Sequence, residues 1–199
     1  MTVTIDYYFT PVSPYAYLGH GRLAKIAHDS GALVKAKPAD FGRIFAASGG
    51  LPLAKRAVQR QAYRQVELRR WSEFLGIPLN VQPKFFPCGA DVAARWILAA
   101  RDAEPARLLD FCGAVGKALW AEERDVADTA TLAALAKASG LDAGPLHQRA
   151  DSAEIVSCYD LYTQQAIDAG VFGAPTYVVD GELFWGQDRL DFLARKLAK

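Results

Sequence analysis

The chain has 199 residues, of which 51% are hydrophobic and 23% are charged, and its formal net charge at pH 7 is +1. This composition is that of a globular protein with one substantial core, and the lack of a basic block argues against a nucleic-acid partner. Because no apolar run approaches the about 20 residues of a membrane span and no secretion signal begins the chain, we expect a cytoplasmic protein without a membrane partner.

The first predicted elements are a strand and a helix. Residues 3–9 alternate between apolar and polar side chains, which predicts a strand. Ser13 followed by Pro14 is typical of a helix N-cap, and we predict a helix from there to about Ser30, ended by Gly31. The N-terminus of that helix has free N–H groups and the positive end of the helix dipole, so it can hold an anion. The alternative is an ordinary helix cap.

Residues 32–39 predict a second strand, which Pro38 ends or places at a sheet edge. A helix connects the two strands, so we expect them to be parallel. After Phe41 the pattern becomes helical, interrupted by a loop at residues 49–52. The predicted helices cover residues 56–75, 91–101, 105–122, 130–139, 142–150 and 152–169.

The helix predicted over residues 56–75 has apolar side chains spaced to form one face. These are Ala62, Val66, Trp71 and Phe74 or Leu75. We further predict that Trp71, Trp96 and Trp120 pack between helices. The loop at residues 82–87 is rich in aromatic side chains, and its two prolines exclude a central strand.

Strand signals return near the C-terminus. Residues 175–179 are rich in strand-forming side chains, Asp180-Gly181 is a hairpin turn signal, and residues 182–185 form the return strand. A final amphipathic helix follows. The order β-α-β, helices, β-β-α predicts an α/β thioredoxin-like fold with an all-helical insertion. We assign residues 1–40 and 170–199 to a discontinuous thioredoxin-like domain, and residues 41–169 to an inserted helical domain.

Cysteine and histidine are too scattered to predict a metal site. Cys88, Cys112 and Cys158 form no C-x-x-C pair and have no zinc-ligand spacing with any of the three histidines. We interpret the cysteines as small, mostly buried thiols and expect no metal.

Three motifs occur in the order expected of a known family. They are Ser13-Pro14-Tyr15-Ala16-Tyr17-Leu18, residues 170–176 (GVFGAPT) and residues 184–190 (FWGQDRL). Tyr63, residues 69–71 (RRW), residues 76–78 (GIP) and Phe86-Pro87 add to the pattern. Together they resemble the 2-hydroxychromene-2-carboxylate isomerases, which are related to kappa-class glutathione transferases in the DsbA-like branch of the thioredoxin superfamily. The resemblance spans nearly the whole chain.

The resemblance implies that glutathione is the cofactor. Redox enzymes of this superfamily have cysteines where this chain has Ser13 and Ala16, so disulfide exchange by these positions is not expected. The resemblance implies instead that Ser13 is catalytic and stabilises the thiolate of bound glutathione. It also implies that Pro175 follows a cis peptide bond and that the backbone of Ala174 pairs with the cysteinyl moiety of glutathione.

Other glutathione contacts are implied at both ends of the tripeptide. Arg60 matches a kappa-class lysine and is a candidate for the glycyl carboxylate, although residues 49–52 lack the asparagine that the family has there. The residues implied near the γ-glutamyl end are Trp185, Gly186, Gln187 and Asp188. For the residues that directly precede the last helix, the alternative is an ordinary helix cap.

The implied partner is a small aromatic substrate. Arg43, Tyr63 and Phe86 are candidate substrate-binding residues, and a solvated or core role is the alternative for each. The implied reaction is glutathione addition to a hydroxychromene carboxylate, ring opening, bond rotation and elimination, as in aromatic hydrocarbon catabolism of the naphthalene type. The alternatives are a kappa-like transferase or peroxidase and a non-catalytic thioredoxin-like module. Kappa-class relatives further imply a homodimer.

Overall fold

The computed structural model describes residues 2–198, which form four strands and nine α-helices. The strands are β1 (Thr4–Phe9), β2 (Leu33–Pro38), β3 (Thr176–Val179) and β4 (Glu182–Trp185). The helices are α1 (Pro14–Ser30), α2 (Phe41–Ser48), α3 (Val58–Leu75), α4 (Asp91–Ala103), α5 (Leu108–Trp120), α6 (Thr129–Ala138), α7 (Ala143–Ala150), α8 (Ala153–Asp168) and α9 (Leu190–Leu197). Short 3-10 helices cover Leu53–Lys55, Pro105–Arg107 and Gln187–Arg189.

The strands form one mixed sheet in the order β2-β1-β3-β4. β1 and β2 are parallel, β3 is antiparallel to β1 with Tyr7 opposite Tyr177, and β4 is antiparallel to β3. Because β2 is an edge strand, Pro38 is tolerated at its end. The α/β thioredoxin-like fold with a helical insertion between β2 and β3 is therefore confirmed.

Local sequence signals determine where α1 and the hairpin turn occur. Ser13 is extended (φ −81°, ψ 123°) and caps α1, while Gly31 ends the helix in the left-handed region at φ 66°. At the turn between β3 and β4, Asp180 has φ 50° and Gly181 has φ 79°. Two consecutive positive φ values match the strand twist at a two-residue hairpin. These predictions are confirmed.

The sheet and the inserted helices share one hydrophobic core. Ile5 and Tyr7 of β1 belong to the same buried cluster as Trp96 of α4 and Phe111 and Trp120 of α5. The burial of the two tryptophans confirms their predicted packing role. The division into two domains stays a prediction, because this core continues from one to the other.

The apolar face predicted for α3 is wrong. Leu68 is the one fully buried side chain of that helix, whereas Val66 is 37% and Phe74 is 79% exposed. Trp71 is half-buried and packs edge-on against Phe74, with ring centroids 5.7 Å apart. The reason is that α3 packs mainly on α1 at the edge of the molecule, so most of its circumference faces solvent.

The remaining expectations concern thiols, metals and membranes. Cys112 is buried, Cys88 and Cys158 are half-buried, and all three are free thiols. Between residues 2 and 198, no group of three or more His, Cys, Asp and Glu side chains is placed to hold a metal ion. None of the helices described is both long and apolar enough to cross a membrane.

Candidate functional site

A cavity of about 240 Å³ opens at the N-terminus of α1, between the thioredoxin-like elements and the inserted helices. We call its two sides the thioredoxin wall and the helical wall. The thioredoxin wall is formed by Ser13, Pro14, Tyr15, Gly173, Ala174 and Trp185. The helical wall is formed by Phe41, Phe45, Leu53, Arg56, Arg64 and Phe86.

Ser13 presents a hydroxyl to the cavity from the start of α1. The side chain is 7% exposed, and its Oγ accepts a hydrogen bond from the N–H of Ala16 at 3.2 Å. Since the oxygen is the acceptor in that bond, its O–H remains free to donate. The N–H of Tyr15 has no acceptor within residues 2–198. The helix dipole adds to these two donors, so the position favours an anion.

Ala174 offers an unpaired length of backbone beside Ser13. The peptide bond between Ala174 and Pro175 is cis, as predicted. The next carbonyl, that of Pro175, accepts from the N–H of Gly186 at 2.8 Å, whereas the N–H and C=O of Ala174 bond to no other backbone group in the described chain. A peptide ligand can therefore pair with Ala174 as an added strand.

Trp185 closes one end of the thioredoxin wall. Its indole ring lies 4.7 Å from the ring of Phe172, measured between centroids. A Cβ atom on Gly173 would overlap this indole, at 2.7 Å from Cε2. Position 173 thus requires glycine for the close approach of the tryptophan to the backbone.

Gly186, Gln187 and Asp188 follow β4 but do not line the cavity. Gln187 is buried, and Arg22 donates to both its backbone carbonyl, at 2.8 Å, and its side-chain oxygen. Its side chain is therefore engaged with α1. Asp188 is exposed and pairs with Arg189 at 2.5 Å. Asp188 is close enough to Tyr15 of the cavity to raise the pKa of its phenol. The role of Gly186 and Asp188 in binding a ligand stays a prediction.

Three candidates lie away from the cavity. Arg60 is exposed on α3, Tyr63 of the same helix is 58% exposed, and Arg43 pairs with Asp160 at 2.6 Å. Successive helical residues point about 100° apart, so Tyr63 faces solvent where the following residue, Arg64, faces the cavity. The structure brings together Ser13 and the other cavity-lining candidates, which are Ala174, Trp185 and Phe86.

Two arginines were missed by the sequence reasoning. Arg64 lies over the rings of Phe86, at 5.3 Å, and Trp120, at 5.7 Å. Arg56 lies 5.7 Å from the ring of Phe45. Neither guanidinium pairs with a carboxylate of residues 2–198. Arg64 precedes Leu68 by four residues and so lies on the same, buried side of α3. This spacing identifies Arg64 only when the buried side of the helix is already known.

Burial changes the proton affinity of two neighbouring groups. Desolvation raises the pKa of the Tyr15 phenol, and the nearby Arg64 only partly opposes this effect. Tyr15 is therefore a protonated hydrogen-bond donor at neutral pH. Desolvation also lowers the pKa of the Arg64 guanidinium, which stays far above neutral pH and keeps its charge.

Comparison with known proteins places this site in a family context. A model of the DSBA-like thioredoxin domain matches residues 4–198. The chain is 34% identical to a 2-hydroxychromene-2-carboxylate isomerase of Sphingobium xenophagum over 194 residues, which cover 97% of each protein. It is 25% identical to glutathione S-transferase kappa 1 of Rattus norvegicus over 206 residues, covering 98% of this chain and 91% of that protein.

A solved structure is similar over nearly the same length. The structure of a 2-hydroxychromene-2-carboxylate isomerase superposes with a TM-score of 0.81 at 28% identity, covering 98% of this chain and 94% of that one. At this identity and coverage the likeness extends to both walls of the cavity. It is therefore a likeness of the whole chain and not of the thioredoxin elements alone.

Proposed function

Because the chain belongs to the family of DsbA-like thioredoxin domains, together with the 2-hydroxychromene-2-carboxylate isomerases, we propose that it is a glutathione-dependent isomerase of that type. Its substrate would be a 2-hydroxychromene-2-carboxylate or a closely related aromatic acid. The observation that carries the proposal is a buried Ser13 hydroxyl beside the unpaired backbone of Ala174, with alanine instead of cysteine at position 16.

Residues of the thioredoxin wall, with Arg56 of the helical wall, fit glutathione. Ala174 has the free N–H and C=O that an added peptide strand needs. Arg56 lines the same cavity without a carboxylate partner, which suits a terminal carboxylate of the tripeptide. When bound, glutathione supplies a sulfur whose thiolate form is a strong nucleophile.

The chain's own groups would favour that thiolate. Ser13 donates its free O–H toward the cavity, and the N–H of Tyr15 adds a second donor at the positive end of α1. Aromatic side chains on both walls make the surroundings of these donors less polar than water, which strengthens the hydrogen bonds they make. The Tyr15 phenol lines the same cavity, and because burial keeps it protonated it can donate to an oxygen of the substrate.

The alternative of disulfide chemistry is disfavoured by the state of the cysteines. None lines the cavity. Burial raises the pKa of Cys88 to about 11 and that of Cys112 higher still, so both stay protonated at neutral pH. A thiol in that state is a poor nucleophile.

The proposal is tested by comparing Ser13→Ala with Ser152→Ala. Both serines cap a helix, because Ser152 accepts from the N–H of Ile155 at 3.3 Å as Ser13 does from Ala16. Each variant should lose about 1 kcal/mol of unfolding free energy in chemical denaturation. Ser13→Ala alone should also lower kcat/KM for isomerisation about 10- to 100-fold, because a charge-assisted hydrogen bond is lost.

Equal activity in the two variants would show that Ser13 is only a helix cap.

Glutathione consumption separates the remaining alternatives. An isomerase needs glutathione but leaves its concentration unchanged, whereas a kappa-like transferase loses one molecule per turnover. A non-catalytic module would bind no glutathione in calorimetric titration.

A further inference from the structure

Arg64 is a cation held inside the helical wall by aromatic rings. Its guanidinium lies 5.3 Å from the Phe86 ring and 5.7 Å from that of Trp120, which is fully buried in the core. Phe86 and Trp120 themselves pack with centroids 4.8 Å apart. Contacts with two aromatic rings that pack on each other restrict the rotamers of the arginine.

The charge of Arg64 is not neutralised by the protein. Within residues 2–198 no carboxylate pairs with it, although the side chain is half-buried. Removing a cation from water without a partner is unfavourable, and desolvation accordingly lowers the pKa of this guanidinium. An anion bound in the cavity would recover that energy.

Two of the groups near Arg64 are a hydrogen-bond donor and a second cation. Tyr15 and Arg56 both influence the pKa of Arg64, and the Tyr15 phenol is protonated at neutral pH. The carboxylate Glu67 also acts on Tyr15, but it pairs with Arg70 at 3.3 Å. The cavity at this point therefore combines a cation, a phenolic O–H and the flat surface of Phe86. That combination fits an aromatic ring bearing a carboxylate.

We propose that Arg64 binds the carboxylate of the substrate, with the substrate ring lying against Phe86. This assignment rests on the proposed function for the identity of the substrate. An aromatic ring beside Arg64 and against Phe86 would bring its carboxylate within reach of the guanidinium, which can donate two parallel hydrogen bonds. Arg64 thereby selects aromatic acids over neutral aromatic compounds of the same shape.

Arg64 and Arg56 are on different parts of the helical wall. Arg56 lies over Phe45 of α2, and its Nε donates to the carbonyl of Leu51 at 2.8 Å. Arg64 lies over Phe86, in the loop that precedes α4. Two separate cations allow the carboxylates of two ligands to be held at once, Arg56 serving glutathione and Arg64 the aromatic acid.

The test measures binding without glutathione and without turnover. Coumarin-3-carboxylate is a flat bicyclic acid, and coumarin-3-carboxamide is its neutral analogue. Isothermal titration calorimetry gives both affinities for the wild-type chain and its variants. We expect the wild-type chain to bind the acid at least about 10-fold more tightly than the amide, as a charge-assisted hydrogen bond predicts.

Arg64→Met should abolish this preference, because methionine retains apolar contact with Phe86 but has no charge. Arg64→Lys keeps the positive charge but lacks the planar guanidinium, so it should retain part of the preference for the acid. Its long side chain also fills the space in the helical wall, so this variant should fold. Arg69→Met is the matched control, since Arg69 is an exposed arginine of the same helix outside the cavity. It should bind both probes as the wild-type chain does.

A wild-type chain that binds acid and amide equally, or a preference that survives in Arg64→Met, would overturn the assignment. So would a loss of glutathione affinity in Arg64→Met with acid preference intact, because Arg64 would then serve the cofactor. Failure of the proposed function has a different signature. The acid preference and its loss in Arg64→Met would persist, but no glutathione would bind and no isomerisation would occur.

Discussion

The two walls of the cavity differ in the groups that they offer a ligand. The thioredoxin wall presents mainly backbone groups: the N-terminus of α1, the unpaired edge of Ala174 and the close approach at Gly173. The helical wall presents side chains, with Arg56 and Arg64 each lying over an aromatic ring. Backbone recognition suits a peptide such as glutathione, whereas side chains set the shape and charge of a second ligand.

The walls also differ in how firmly they are held. β3 and α1 of the thioredoxin wall are packed into the main core, with side chains such as Leu23 and Tyr177 fully buried. The α3 segment of the helical wall has a single fully buried side chain, Leu68. We therefore expect local unfolding to cost less free energy at α3 than at α1.

The largest effect is expected from Leu68→Ala. Removing a fully buried leucine should lower the unfolding free energy by about 2–5 kcal/mol, measured by urea denaturation. Because α3 carries Arg64, the KM for the aromatic substrate should rise several-fold. The Kd for glutathione should change less, since the thioredoxin wall keeps its own packing.

Val66→Ala controls for the loss of a branched side chain from the same helix. Val66 is 37% exposed, so its truncation should change the unfolding free energy by less than about 1 kcal/mol. If Leu68→Ala weakens glutathione and substrate binding equally, the two walls are not packed independently of each other.

An intermediate effect is expected from Gly173→Ala in the thioredoxin wall. The new methyl group would overlap the indole of Trp185, and overpacking of this kind costs about 1–3 kcal/mol. Displacement of the indole should weaken glutathione binding in calorimetry more than it changes the acid preference of the helical wall. Gly21→Ala is the control, because a Cβ on Gly21 of α1 meets nothing within 4 Å. It should be neutral or stabilising.

The sequence placed more of the thioredoxin wall than of the helical wall because its signals lie in short motifs. The cap at Ser13 and the hairpin turn depend on a few adjacent residues, whereas Ala174 and the cis Pro175 were implied by the resemblance of residues 170–176 to the family. The helical wall depends on which side of α3 faces the core. With Leu68 as the one fully buried side chain, the helix has no clear apolar face, so Arg60 and Tyr63 were chosen where Arg64 lines the cavity. The rotation of such a helix is set by tertiary packing, which a single sequence does not reveal.

The smallest effect concerns the contact between α1 and the inserted helix α5 at His20. Its ring packs on Gly113 of α5, and Nε2 is 2.7 Å from the carbonyl oxygen of Leu109, so the neutral ring donates to that carbonyl. Burial lowers the pKa of His20 below its ordinary value, although the carbonyl and Asp110 partly oppose this effect. Between the lowered pKa and the unfolded value of about 6.5, the unfolded chain binds more protons. The contribution of the neutral His20 ring to the unfolding free energy is therefore complete above about pH 6.5, and it is lost as the pH falls toward the lowered pKa of the folded state.

His20→Gln should preserve the donor to Leu109 and remove the titration. The unfolding free energy of this variant should fall less steeply between pH 7 and pH 5 than that of the wild-type chain, in denaturation curves recorded at each pH. Ser30→Ala removes a 2.7 Å hydrogen bond to the carbonyl of Ile26 on the same helix without removing a titratable group, so it should shift the whole curve and keep its slope. A slope unchanged in His20→Gln would mean that His20 does not couple the attachment of α1 and α5 to pH. Any acid sensitivity of that attachment would then come from other groups.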